Sequence, residues 1–76
     1  MYNHITYNPQ VLGGKPHIKG TRLSVEFIME LFASGGSIKD IQDNYPQLSS
    51  EAIQETIHYS ANAVKNEILI SSKINI

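Results

Sequence analysis

Apolar and polar residues alternate over a short stretch near the N-terminus, residues 5–12, where Asn8-Pro9 interrupts the alternation. This pattern predicts a strand, a turn and a second strand, as in a small antiparallel sheet. Another strand-like stretch, Pro-His-Ile-Lys at residues 16–19, lies between Gly13-Gly14 and Gly20, which predict two tight turns. The N-terminal part of the chain is therefore predicted to form a short β-arm or hairpin.

Helical spacing of the apolar residues begins after this arm. Ser24 is a predicted N-cap and Gly35 a predicted C-terminal stop, which together define a first helix over residues 24–34. Ser37 and Asp40 have the spacing of a capping box. They predict a second, short helix that ends before Pro46.

A third helix is predicted to start at a Ser49 cap and to run to about residue 65 or beyond. The stripe predicted to face the core consists of Ile53, Ile57, Ala61, Val64 and Ile68. The residues predicted to face outward are Ser50, Glu51, Gln54, Glu55 and His58.

These elements predict a mainly α fold, in which a short N-terminal β-arm or hairpin precedes a three-helix helix-turn-helix bundle of homeodomain-like or winged type. One domain is predicted over residues 1–66, with the arm and a glycine-rich loop in 1–23 and the helices in 24–66. Residues 67–76 form an apolar C-terminal tail. A plain three-helix bundle with no nucleic-acid role fits the same pattern.

Size and composition add the expectation of a partner. A chain of 76 residues buries only about 60% of its unfolded surface, and this one has no cysteine for disulfides, so a homodimer is favoured. The lack of cysteine and of a signal-peptide pattern predicts a cytoplasmic location. No apolar run is long enough to predict a membrane span.

Charge is distributed unevenly. The formal net charge is −1, but residues 1–25 carry Lys15, Lys19 and Arg22 and no acid, whereas residues 26–76 carry three cations and seven acids. The three cations of the arm are candidate phosphate contacts in DNA binding. Solvated surface lysines are an equal alternative for Lys15 and Lys19, and for Arg22 a structural role in locking the turn is the stronger interpretation.

The third helix offers candidate base-reading side chains in Ser50, Gln54 and His58. Glu51 and Glu55 count against DNA binding, because they would bring negative charge to a phosphate backbone. On these residues alone, an ordinary solvent-facing surface is the stronger interpretation.

Catalysis and metal binding have little support in the sequence. His4, His17 and His58 are far apart and lack chelating spacing, so no metal site is predicted. No nucleophile, base and oxyanion site can be assembled from the residues present, so neither an enzyme nor a cofactor is predicted.

The C-terminal tail is too apolar to be covered by so small a core, and exposed apolar surface usually marks an interface. Self-association is favoured, and docking on a partner protein is the alternative. The predicted interface residues are Ile68, Leu69, Ile70, Ile74 and Ile76.

The run Gly-Lys-Pro-His-Ile-Lys-Gly-Thr-Arg-Leu-Ser-Val at residues 14–25 resembles the family catalogued as domain of unknown function 433. Gly36-Ser37, Ile41, Tyr45-Pro46-x-Leu48 and Ile53 continue the resemblance, which covers residues 11 to about 61. It implies a helix-turn-helix fold, and an antitoxin of VapB type that is paired with a ribonuclease toxin of PIN-like fold.

The leading hypothesis is therefore a small antitoxin-like protein that dimerises, binds operator DNA and neutralises a PIN-like toxin. The alternative is a protein–protein interaction module that binds no DNA and uses the third helix and the tail.

Overall fold

The computed structural model describes the backbone of residues 2–74 and the side chains of residues 2–65. Two short strands, β1 (Ile5–Thr6) and β2 (His17–Ile18), precede three helices, α1 (Val25–Ala33), α2 (Ile38–Asn44) and α3 (Ser50–Ile74). The mainly helical fold with a short antiparallel hairpin in front is therefore confirmed. Among the described helices, none has both the length and the apolar character that crossing a bilayer requires.

Strand β1 pairs with β2, with Ile5 opposite Ile18 and Thr6 opposite His17. The prediction of a strand within residues 16–19 is confirmed, whereas that of a second strand within 8–12 is wrong. Asn8 starts a turn there, because its side-chain oxygen accepts from the Gln10 amide at 2.9 Å and its carbonyl accepts from the Val11 amide at 2.9 Å.

Three successive residues after this turn have left-handed backbone conformations, with φ of 52° at Leu12, 64° at Gly13 and 85° at Gly14. The two glycines adopt them without strain, but at Leu12 the conformation costs about 1–2 kcal/mol. The amide of Lys15 closes the turn on the Leu12 carbonyl at 3.2 Å. The chain is thereby redirected into β2.

Each helix begins at the serine that the sequence predicts. Ser24 Oγ accepts from the Phe27 amide at 3.0 Å, and Ser49 Oγ accepts from the Ala52 amide at 3.1 Å. At α2 the capping box is complete, because Ser37 Oγ accepts from the Asp40 amide and Asp40 accepts from the Ser37 amide. The hydrogen bond donated by the Ser37 amide is the main cause that lowers the pKa of the Asp40 carboxyl.

The core lies where α1, α3 and the hairpin meet. Its fully buried side chains are Ile28, Ile53 and Thr56. The Thr56 hydroxyl donates to the Ala52 carbonyl at 3.0 Å, so its polar group is satisfied inside the apolar cluster. The other buried apolar residues are Ile5, Ile18, Val25, Ile41, Leu48 and Ala52.

The predicted core stripe of α3 is wrong at Ile57, Ala61 and Val64, and the side chain of its last member, Ile68, lies outside the described residues. Ile57 is 36% exposed, Val64 is 53% exposed and Ala61 is also exposed. A step of four residues turns a helix by about 400°, so a run such as 53, 57, 61 rotates away from the core by about 40° at each step. The buried face instead follows Ala52, Ile53 and Thr56.

Helix α3 continues without a break through residue 66, where the sequence suggests that the domain ends, and reaches Ile74. The predicted interface residues Ile68, Leu69, Ile70 and Ile74 therefore belong to this helix. Their side chains, and Ile76 as a whole, lie outside the described residues.

Candidate functional site

The N-terminal arm lies along one flank of α3. Three of its side chains contact three helix residues that are spaced four and then three apart, which is the spacing of a single helical stripe. The contacting pairs are His4 with Glu55, Tyr7 with Tyr59, and Tyr2 with Asn62. This flank is adjacent to the face of α3 that points away from the core.

The firmest of these contacts joins His4 to Glu55. The His4 amide donates to Glu55 Oε1 at 3.0 Å, and the ring Nδ1 of His4 meets Oε2. Partial burial acts to raise the pKa of Glu55, but the hydrogen bonds from the His4 side chain and from the backbone amides of His4 and Asn3 outweigh it and lower the pKa. Glu55 is therefore not a free solvent-facing side chain, because the arm covers part of it and bonds it.

A tyrosine cluster extends this contact. Tyr7 and Tyr59 share a hydrogen bond of 2.8 Å between their hydroxyls, and the rings of Tyr2 and Tyr59 meet edge to face with centroids 5.2 Å apart. The hydrogen bond with Tyr7, together with burial, raises the pKa of Tyr59 to about 12. Tyr59 is half-buried at the edge of the core, whereas Tyr7 is 62% exposed.

The loop after β2 is held by Thr21. Its hydroxyl donates to the Ile18 carbonyl at 2.8 Å and accepts from the Leu23 amide at 3.1 Å. The turn-locking role that the sequence suggests for Arg22 therefore belongs to Thr21. Arg22 itself is exposed, and within the described residues its guanidinium makes no hydrogen bond or ion pair.

The three cations of the arm lie on two different surfaces. Lys15 pairs with Glu26 of α1 at 3.0 Å and lines a groove between α1 and α3. Lys19 and Arg22 line a separate cleft of about 490 Å³ that also contains the Tyr7 ring. The cleft is cationic, and its other lining residues include Thr6, Asn8 and Thr21.

A backbone hydrogen bond connects this cleft to α3. The amide of Lys19 donates to the His4 carbonyl at 2.8 Å, and His4 in turn bonds Glu55. His4 therefore connects Lys19 to α3. The sequence gives no signal for it, because His4 and Glu55 are 51 positions apart.

The candidate base-reading residues lie on the outward side of α3. Gln54 and His58 are exposed and Ser50 is half-buried, with Gln54 Nε2 donating to Ser50 Oγ at 3.2 Å. His58 is three residues from Glu55 and four from Asn62, so it lies beside the flank that the arm covers. Glu51 is exposed on the same side.

His17 is buried beneath the loop that follows β2. It is 4% exposed, and its Nδ1 lies 3.2 Å from the Lys15 carbonyl oxygen. Its backbone also forms a bridge with Ser24, so β2 is joined to the start of α1. His17 lies at the base of the cleft that Lys19 and Arg22 line.

The fold and site together define a small α protein with an N-terminal β-arm that carries a cationic cleft and is attached to the longest helix through His4. A family model for "protein of unknown function (DUF433)" matches residues 5–60. The chain belongs to this family, as the residues of the glycine-rich loop predict.

Two relatives illustrate the family. A crystal structure of a DUF433 member from Anabaena variabilis ATCC 29413 superposes with a TM-score of 0.76 and 30% identity, covering 97% of this chain and 70% of that one. An uncharacterized protein, y4eO, of Sinorhizobium fredii (strain NBRC 101917 / NGR234) is 32% identical over 62 residues, which are 80% of this chain. The match spans only 28% of the y4eO protein.

Proposed function

We propose that this protein is a DNA-binding regulator in which α2 and α3 act as a helix-turn-helix. In this proposal the outward side of α3 enters the major groove and presents Ser50, Gln54 and His58 to base edges. Lys19 and Arg22 hold the flanking phosphates.

The attachment of the arm to α3 carries the proposal. Helix-turn-helix proteins combine base contacts from one helix with phosphate contacts that set its orientation. Here the amide of Lys19 bonds His4 and His4 bonds Glu55, so the cationic cleft has a fixed relation to the helix. His58 is a helical neighbour of Glu55, and this brings a candidate base contact beside the arm.

The arm covers part of one of the two acidic side chains on α3 that count against DNA binding. Of the two glutamates on α3 that would oppose a phosphate backbone, Glu55 is bonded by His4 and only Glu51 is exposed. Lys15 is left out of the proposed interface, because it pairs with Glu26 and lines the other groove. A modest affinity carried by two phosphate-contacting cations is expected.

Fluorescence anisotropy with two DNA duplexes tests the proposal. One duplex comes from upstream of the protein's own gene, and the other is a scrambled sequence of the same composition. Tighter binding to the native duplex is expected, with an affinity that falls as salt rises. Equal binding to both duplexes, or none, would contradict the proposal.

We extend this proposal to the antitoxin class that the family resemblance implies, in which the regulator also binds and neutralises a PIN-like ribonuclease toxin. The test is co-expression with a PIN-like nuclease encoded beside the gene, if one is present. Co-purification of the two proteins together with loss of ribonuclease activity is expected. A nuclease that stays free and fully active would remove the antitoxin role and leave DNA binding to be judged separately.

A protein–protein interaction module without DNA binding is the second candidate. Two features favour this interaction module. Glu51 is exposed beside the proposed base-reading residues, and an open groove lies between α1 and α3. This candidate predicts no difference between the native and scrambled duplexes, and association through the groove that persists when Lys19 and Arg22 are neutralised.

A further inference from the structure

A groove of about 740 Å³ runs between α1 and the middle of α3, on the side of the helix that continues the core face. We call it the α1/α3 groove. Its apolar lining residues are Pro16, Val25, Met29, Ala33, Ala63 and Val64. Lys15, Glu26 and Glu30 also line it, so its three charged side chains sum to −1.

Helix α3 extends well past the core. It spans 25 residues, or about 37 Å at 1.5 Å per residue, and its last core residue, Thr56, lies in its first third. The segment from Lys65 to Ile74 contains Ile68, Leu69 and Ile70. Its charged residues, Lys65, Glu67 and Lys73, sum to +1.

From these two features we infer that the α1/α3 groove is the docking site for residues 65–74 of α3 from a second copy of this chain. The segment has apolar side chains that match the apolar lining of the groove, and its net charge of +1 is opposite to the groove's net charge of −1. It cannot fill its own groove, because one continuous helix carries it onward from the groove-lining residues Ala63 and Val64. Only another copy can bring it there.

A two-fold axis makes the exchange reciprocal. Each copy then offers one groove and one helix end, so the same contact forms twice and no binding surface is left over. Stable interfaces bury about 1,200–2,000 Å² in total. Two copies of the contact bring so small a chain closer to that area than one copy would. The inference does not depend on DNA binding, which is measured separately.

Sedimentation of the full-length chain over a micromolar concentration series tests the inference. The wild-type protein is expected to dimerise. Ala63→Lys, which would place an unpaired ammonium group in the groove, is expected to weaken dimerisation by at least about tenfold. Ala61→Lys is the matched control, since Ala61 is also exposed on α3 but does not line the groove, and it is expected to leave the dimer unchanged.

The charge match has its own control. Glu30→Lys reverses a charge in the groove and is expected to weaken the dimer, whereas Glu51→Lys makes the same change elsewhere and is expected not to. Helical circular dichroism is measured for every variant, and equal signals exclude unfolding as the cause. A monomeric wild-type chain, or equal effects of Ala63→Lys and Ala61→Lys, would overturn the inference.

Discussion

His4 bonds both carboxylate oxygens of Glu55, one through its backbone amide at 3.0 Å and the other through its ring. The two residues are 51 positions apart, so this contact attaches the N-terminal arm to the longest helix. The arm also covers part of the Glu55 side chain, beside the side of the helix proposed to face DNA. The position of the cationic cleft relative to α3 depends on this pair.

The first prediction concerns acid stability. The pKa of Glu55 is lower in the folded chain than in the unfolded chain. Its carboxylate therefore stabilises the fold above the unfolded pKa of about 4.3, and this stability is lost as pH falls through the folded pKa. Urea denaturation between neutral and acid pH should show that Glu55→Gln is less stable than wild type near neutrality but less sensitive to acid.

Asp40 serves as an independent comparison in the same experiment. Its pKa is also lowered, by hydrogen bonds from Ser37, so some acid sensitivity should remain in Glu55→Gln. Asp40→Asn should remove a different part of the acid sensitivity of the wild-type protein. An acid decline in Glu55→Gln that matches wild type would show that the pair with His4 contributes no pH-dependent stability.

The second prediction concerns the tyrosine cluster. Absorbance titration of the folded chain should show one tyrosine with a pKa of about 12, which we assign to Tyr59. Tyr7→Phe removes the main cause, the hydroxyl–hydroxyl bond of 2.8 Å, and should return this pKa toward about 10. Tyr45 lies outside the tyrosine cluster, so Tyr45→Phe should leave the titration with a pKa of about 12 unchanged. A Tyr7→Phe titration identical to wild type would refute the assignment.

A third prediction tests the loop. Thr21→Val removes a hydroxyl that donates to the Ile18 carbonyl and accepts from the Leu23 amide. The free energy of unfolding should fall by about 1–3 kcal/mol, because the Leu23 amide loses its partner and the Ile18 carbonyl keeps only the Thr21 amide. Thr21→Ser keeps the hydroxyl and should cost less than Thr21→Val. Chemical denaturation measures both, and equal losses would mean that the hydroxyl does not hold the turn.

The fourth prediction distinguishes the observed buried face of α3 from the stripe that the sequence predicts. Ile53 is fully buried and Ile57 is 36% exposed. Ile53→Ala should lower the free energy of unfolding by about 2–5 kcal/mol, and Ile57→Ala by no more than about 1 kcal/mol. Similar losses for the two variants would favour the sequence-derived stripe.

Local signals account for what the sequence predicts well. Ser24, Ser37 and Ser49 cap their helices because capping depends on residues within one turn, and the hairpin strand at 17–18 is marked by glycines and a proline nearby. The left-handed turn at Leu12 cannot be predicted in this way, because a leucine carries no signal for positive φ. The surrounding structure imposes it.

The site is harder to predict because its contacts are long-range. His4 with Glu55 and Tyr7 with Tyr59 join segments more than 50 residues apart, and no periodicity encodes them. The separation of Lys15 from Lys19 and Arg22 likewise follows from the direction that each side chain takes after folding. The sequence could identify these cations, but not which of them share a surface.

The most direct test of the central claim is the salt dependence of DNA affinity, measured by anisotropy on the upstream duplex for wild type, Lys19→Gln, Arg22→Gln and Lys15→Gln. Each phosphate contact that is lost should reduce the slope of log affinity against log salt by about 0.9. We predict this reduction for Lys19→Gln and for Arg22→Gln, and an unchanged slope for Lys15→Gln. Equal slopes for all four proteins would contradict the claim that the arm cleft binds DNA.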